Sequence, residues 1–333
     1  MTSLPADTTH RAETGAKAPA SAPRYAPGYG RLMRSPFYRA TLGLLAENRA
    51  ARLAVFIGVP LLWIAIAHVG PIVQLVRISL LQHYPITDGS SPSYTVANYW
   101  AFLSEPLYSL PLMRSVVFAF CVTLVTLIVV YPVAYYVAKI VRPQNRTRAL
   151  LLLLIPFWAG EVIRTFSVIM LLANRGALNV LLREIGLIDR PIPMLYNYFS
   201  LSFGVIYLVC LYMLLPLYSA LEKIPNHLLD AAADLGAGPF TRLRRIILPL
   251  SKDGIVSGCS LVFLTTIGVF ATPILLGGPS TGLFPETIAA FFHGASDKWP
   301  VGAAMAVVML AASLGLAALF MRLVGGKRSA RFL

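Results

Sequence analysis

The chain is 333 residues long, 57% hydrophobic and only 13% charged, with a mean hydropathy of +0.71. A soluble domain carries about 45–50% apolar and about 25% charged residues, so a water-soluble core of this length cannot hide so much apolar surface. The formal net charge of +14 raises nucleic-acid binding as a question, and the placement of the basic residues answers it.

Residues 1–50 are rich in Pro, Ala and Arg and contain no apolar stretch of the kind a signal peptide needs. They read as a mostly disordered cytoplasmic tail, with a short helix expected near Tyr38–Glu47. A bilayer core about 30 Å thick takes roughly 20 apolar helical residues to cross. Six segments qualify: Leu53–Leu80, Met113–Ala138, Ala149–Ala173, Leu201–Leu221, Gly254–Leu276 and Val301–Leu323. Pro60, Pro71, Pro132, Pro156, Pro216 and Pro273 fall inside them, and each removes one backbone hydrogen bond and is expected to kink its helix.

Two connections between spans carry further signals. Tyr94–Leu110, with Tyr94, Tyr99, Trp100, Phe102 and Tyr108, predicts a helix lying on the outer surface, because such aromatics favour the headgroup zone. The apolar patch Ala177, Leu178, Val180, Leu181 and Leu182, followed by Pro191 and Pro193, predicts a short re-entrant or surface helix. The three cysteines, Cys121, Cys210 and Cys259, lie in apolar stretches without metal-ligand spacing and read as inert buried thiols.

The Lys and Arg residues are distributed one-sidedly. The tail 1–52 holds eight, the loop 139–148 four, the loop 222–252 five and the tail 322–333 four. The alternate loops hold none at 81–112, three at 174–200 and one at 277–300. Twenty-one against four places both termini in the cytoplasm and makes the basic residues topology signals, not a nucleic-acid surface.

The loop Glu222–Asp253 is far longer than a turn between helices needs to be. Asn226 is a helix N-cap candidate, Gly236 and Gly238 end the helix it opens, and Pro239 can begin a second. The second helix is expected to keep Arg242, Arg244 and Arg245 wet and to turn Leu243, Ile246 and Ile247 to the membrane, until Pro249 interrupts it. The small residues Ala231–Ala233 permit close docking of a soluble partner, and the flanking spans would carry any displacement as a lever.

The run Asp230-Ala231-Ala232-x-x-Leu235-Gly236-Ala237, followed by Ile247-x-Pro249 and Gly254-Ile255, resembles the Glu-Ala-Ala loop of ABC importer permeases. Asp230 stands for the customary Glu, and Asp253 stands where many members have Pro. Tyr131–Tyr135, Leu154–Trp158 with Arg164-Thr165, Gly186–Ile188, Gly268–Gly278 and Asp297–Ala304 look like the spermidine/putrescine branch of these permeases. The likeness covers roughly residues 55–323.

What the resemblance implies is an all-α polytopic membrane protein with the type I ABC importer permease fold, six transmembrane helices and cytoplasmic termini. Its parts would be a tail (1–52), a first transmembrane helix with a periplasmic loop (53–111), a core (112–323) containing the coupling loop 222–253, and a tail (324–333). Asp230, Ala231, Ala232, Leu235, Gly236, Ala237 and Pro249 would form the ATPase-coupling surface. The implied partners are two ATP-binding subunits, a second permease in a heterodimer, a periplasmic solute-binding protein and the lipid bilayer. No GxxxxGK[ST] loop is present, so ATP is expected on a partner and no cofactor on this chain. Neither a metal cluster nor a nucleophile–base constellation points to catalysis.

A cationic polyamine needs carboxylates or aromatic faces along its path, which Phe157, Trp158 and Glu161, beside Arg164, could supply. The competing expectation is an ion pair between Glu161 and Arg164 at helical i,i+3 spacing that only holds the bundle together. Glu286 and Asp297 read as solvated loop charges, with a cation contact as the alternative. Another small solute (an opine, amino acid or aminophosphonate) stays open within the same class, as does, more remotely, a stand-alone secondary transporter.

Overall fold

The computed structural model describes residues 49–85, 91–278, 281–293 and 298–329. The helix expected near Tyr38–Glu47 and the side chain of Asp297 lie outside these residues. The chain divides into two compact units, Met1–Pro71 and Ile72–Leu333.

The first unit, over its described part, is helix. α1 (Arg49–Ile64) passes into a wider π-helical turn at Ala65–Val69, and α2 (Gly70–Ser79) completes the apolar segment Leu53–Ser79. The widening has a local cause. Pro71 has no N–H for the carbonyl of Ala67, four residues earlier, and the π turn contains that carbonyl.

The second unit takes in α2 from Ile72 onward and continues with α3 (Ala97–Ser104) and α4 (Pro106–Tyr135), which runs on through a π turn at Tyr136–Ile140. The segment predicted as a surface helix at 94–110 is therefore α3 plus the first turn of α4. It is half sunk in protein: Phe102 is buried against Phe284 and Met305, while Trp100 stays exposed. Buried Asn98 donates to the carbonyls of Ser79 and Leu81 and ties α3 to the end of α2.

The third predicted span, Ala149–Ala173, is not one helix. α5 (Pro143–Leu154) gives way to a 3-10 turn, Ile155–Trp158, and the extended residues Ala159 and Gly160 precede α6 (Glu161–Leu172). Pro156 and Gly160 are the breakers. α7 (Ala177–Glu184) is the short helix expected in the next loop, and the apolar crossing segment is Glu161–Glu184. Fully buried Asn179 holds this corner by donating to the carbonyls of Ala173 and Ile192 and accepting from the Ile192 N–H.

α8 (Tyr198–Glu222) begins at a capping box, in which the Asn197 side chain accepts from the Phe199 and Ser200 N–H groups and Ser200 Oγ accepts from the Asn197 N–H. Next come α9 (Asn226–Asp234), α10 (Pro239–Arg242), a π turn at Leu243–Ile247, and α11 (Leu248–Leu250). Beyond a 68° bend lies α12 (Lys252–Ile267), then α13 (Ala271–Leu276), α14 (Phe284–His293) and α15 (Trp299–Ser329). Five described helices are long and apolar enough to cross a membrane, and six if the bent pair Pro239–Leu250 and Lys252–Ile267 forms one span. The predicted fifth span, Gly254–Leu276, stops at Ile267 because the helix ends at Gly268 and α13 leaves as a separate piece.

The core lies where α4, α8 and α12 meet, around Phe118, Val122, Val205, Val209, Met213 and Val262. α8 and α12 approach closely through Gly254 and Gly258. A Cβ at Gly254 would meet Ala220 Cβ and lie 2.7 Å from the Pro216 carbonyl oxygen, and one at Gly258 would lie 2.7 Å from Met213 Sδ. This is small-residue packing of the kind lipid-embedded helices use in place of a hydrophobic drive. Of the cysteines, Cys259 is buried and Cys210 half-buried, but Cys121 is exposed on α4, against the expectation for it.

Candidate functional sites: a projecting loop and a broken helix

The loop between α8 and α12 is anchored at its base and open at its tip. Ile224, Leu229 and Ile247 are buried in the main core, and Leu243 and Ile246 pack on it half-buried. Leu243, Ile246 and Ile247, on the π turn, thus face protein, not membrane. That turn repeats the logic of the first helix: Pro249 cannot serve the Arg245 carbonyl, which lies inside it.

Lys139, from the end of α4, donates to the Ile224 carbonyl and, at 3.3 Å, to Asn226 Oδ1. A cation is favourable where α8 leaves carbonyls unpaired. Asn226 is accordingly not the N-cap of α9: Pro225 holds that position without a side-chain hydrogen bond, and Asn226 is the first helical residue. Glu222 accepts from the Tyr218 hydroxyl at 2.8 Å and lies 3.9 Å from Arg146, so the 141–148 segment is tied to the same base.

α9 ends in a complete Schellman motif. The Gly236 N–H donates to the Ala233 carbonyl at 2.8 Å, and the Ala237 N–H donates to the Ala232 carbonyl at 2.9 Å. Gly236 has φ +79°, a conformation that costs an L side chain about 1–2 kcal/mol. Around this stop the chain projects Leu235, 88% exposed, and Phe240, 72% exposed. Asp230 and Ala231 are exposed beside them, and Ala232 and Ala237 are half-buried. Pro249 sits apart from that tip, next to the bend at Ser251. Phe240 joins this surface as a large apolar side chain at the start of α10 that nothing in the chain covers.

The break before α6 gathers the other candidates. Glu161 lies in the first turn of α6, where the helix dipole favours a carboxylate. Thr272 Oγ1, from α13, is 3.2 Å from Glu161 Oε1 and 3.2 Å from Thr165 Oγ1, and Thr165 Oγ1 donates to the Glu161 carbonyl at 2.9 Å. Thr165 and Thr272 are buried, and Glu161 is half-buried. Arg164 does not pair with Glu161. Its guanidinium donates to the Leu208 carbonyl at 3.3 Å and stacks 4.7 Å from the centre of the Phe157 ring, and the one ion pair among the described residues is elsewhere. Phe157 also meets Tyr207, ring centres 6.2 Å apart, whereas Trp158 is 90% exposed and unburied by this chain. The break thus joins Glu161 to Thr165 and Thr272, and Arg164 to Phe157; Thr272 carries no signal in the sequence because α13 is distant in the chain. Non-helical backbone such as Ala159-Gly160 is tolerated at membrane depth where it is buried in protein or lines a cavity.

No family model matches the chain. It is 38% identical over 213 residues to the spermidine/putrescine transport system permease protein PotB of Haemophilus influenzae, covering 64% of this chain and 73% of that protein. To PotB of Escherichia coli it is 37% identical over 216 residues, covering 65% and 78%. The inner membrane ABC transporter permease protein YdcU of Escherichia coli is 29% identical over 279 residues, covering 80% and 88%. Among solved structures, a bacterial ABC transporter involved in the import of the acidic polysaccharide alginate superposes with a TM-score of 0.65 at 17% identity, over 85% of this chain and 96% of that one. That likeness establishes the fold, and the relatives establish a transport subunit, not an enzyme, that passes several times through the inner membrane. The chain belongs to the family of ABC importer permeases that includes the spermidine/putrescine permeases.

Proposed function

We propose that this permease carries a polyamine, of the spermidine or putrescine kind, across the inner membrane. The observation that carries the reading is 38% identity to a spermidine/putrescine permease over 73% of that protein's length. Both termini lie in the cytoplasm, on the strength of the one-sided Lys and Arg distribution. The chain forms half of the path, beside a second permease in a heterodimer, and takes solute from a periplasmic binding protein. Support for that last partner comes from an alginate transporter of the same fold, whose structure holds an alginate-bound periplasmic protein.

ATP is bound and hydrolysed by two partner subunits. Asp230, Ala231, Ala232, Leu235, Gly236 and Ala237 dock on one of them, with Pro249 setting the bend behind the docking surface. The exposed Leu235 and Phe240 are the apolar surface that such a partner covers. Movement of α9 passes into α8 and α12, because Ile224, Leu229 and Ile247 are built into the core those helices share. Glu161, Trp158 and Phe157 line the route, the carboxylate and π-faces replacing water around an ammonium group. Arg164 braces the break from the α8 side.

The test is uptake of radiolabelled putrescine and spermidine by the purified four-component importer in proteoliposomes. ATP-dependent accumulation of either is the expected result. Accumulation of amino acids, opines or phosphonates with neither polyamine would overturn the substrate assignment.

A further inference from the structure

We propose that a cavity around Glu286, separate from the broken helix, is a second binding site on the path, specific for a primary ammonium group on an aliphatic chain. The inference deepens the polyamine reading and rests on it. The cavity holds about 550 Å³, within the range of small-ligand sites, and lies among α13, α14 and the Tyr196 turn that leads into α8. α8 then runs 25 residues to the coupling loop, so the cavity sits about 37 Å from that end at 1.5 Å per residue.

The lining is chemically one-sided. Glu286 Oε1 is closed off from solvent and has no hydrogen-bond partner. Burial pushes this carboxyl above its usual range, with a main-chain hydrogen bond at Leu283 working the other way. An unpaired buried carboxyl oxygen is costly, and a turn of the Glu286 side chain into the cavity it lines lets an ammonium group supply both the missing donor and the compensating charge. His293 Nδ1 donates to the Ala289 carbonyl at 2.8 Å. Tyr196 and Phe270 add two π-faces, and Pro273, Ile274, Ala289 and Ala290 form an apolar wall that suits methylene groups.

The main-chain donors of the glycine turn are not free for an anion. The Gly277 and Gly278 N–H groups are already given to the Pro273 carbonyl and Thr281 Oγ1. No Lys or Arg is among the lining residues. Glu286 is therefore not the solvated loop charge its sequence position indicates: α14 turns it inward.

The experiment compares putrescine uptake by the assembled importer in proteoliposomes for the wild type, Glu286→Gln, Glu286→Asp and Ala290→Leu. The expected pattern is a loss of at least tenfold in Glu286→Gln, partial recovery in Glu286→Asp, and a loss in Ala290→Leu, which fills the cavity and keeps the carboxylate. A photoreactive diamine should label the peptide containing Tyr196 in the wild type and be displaced by putrescine. Wild-type uptake by Glu286→Gln overturns the site and leaves the polyamine reading standing. A wild-type importer that carries neither putrescine nor spermidine overturns both. If Glu286→Gln does not co-purify with its partners, Ala290→Leu decides, and unchanged uptake in that variant overturns the proposal.

Discussion

The hydroxyl of Tyr131 on α4 lies 3.1 Å from the hydroxyl of Ser251, at the 68° bend where the coupling loop turns into α12. Ser251 is fully buried and also donates to the Leu248 carbonyl at 3.3 Å, so the bend is held by α4 as well as by its own backbone. Tyr131→Phe removes one hydrogen bond of about 1 kcal/mol and leaves the ring packing in place. The expected outcome is normal membrane insertion and ATPase association with less solute moved per ATP hydrolysed. An unchanged ratio of uptake to hydrolysis would show that the bend does not depend on this contact.

Gly236 separates two reasons for a glycine. A Cβ there would meet nothing within 4 Å, so the strain comes from φ alone. Gly236→Asn, a residue that tolerates the left-handed region, should keep most of the uptake, and Gly236→Val should lose it with a cost above about 1–2 kcal/mol. Equal loss in both variants, measured as uptake at matched membrane levels, would mean that the partner's surface excludes any side chain.

Leu235 and Phe240 are exposed in the isolated chain, so replacing them should not destabilise it. Leu235→Asp and Phe240→Ser are expected to keep the permease's melting temperature within a degree or two. Co-purification of the ATPase should fall about tenfold, the effect of losing roughly 1.4 kcal/mol of binding. Full co-purification with both variants would move the docking surface elsewhere on the loop.

Glu161 and Arg164 make separate contacts, one to Thr272 and one to Leu208 and Phe157. A double-mutant cycle of Glu161→Gln and Arg164→Lys should be additive in thermal stability, within about 0.5 kcal/mol. Strong coupling between them would restore the ion pair the spacing predicts. Glu161→Gln alone should lower putrescine uptake, and Thr272→Val, which removes its hydrogen-bond donor, should shift it in a milder way.

Gly254→Ala should be the most damaging glycine change in α12. Its new methyl group meets the Pro216 carbonyl and Ala220 Cβ, which belong to a packed helix and cannot yield without moving it. Overpacking of this kind costs about 1–3 kcal/mol. Gly258→Ala should cost less, because its nearest neighbour is the flexible thioether of Met213. Melting curves of the two purified variants give the order.

The sequence by itself determined the features that depend on local chemistry. Apolar runs mark most of the spans, Gly236 marks the end of α9, Pro239 the start of α10, and the Asp230–Ala237 run marks the family, while Gly238, expected to end α9, caps α10 instead. Hydrophobic length and turn residues act within a few positions of themselves, so one chain read in order is enough. The tertiary structure alone decided which polar groups meet. Thr272 reaches Glu161 across 111 residues, Ser251 reaches Tyr131 across 120, and the Glu286 carboxylate is turned into a cavity whose wall begins at Tyr196. It also decided that Leu243, Ile246 and Ile247, which form the π turn before Pro249, face the core. Burial is a property of neighbours, and in this chain the neighbours that matter come from helices far apart in sequence.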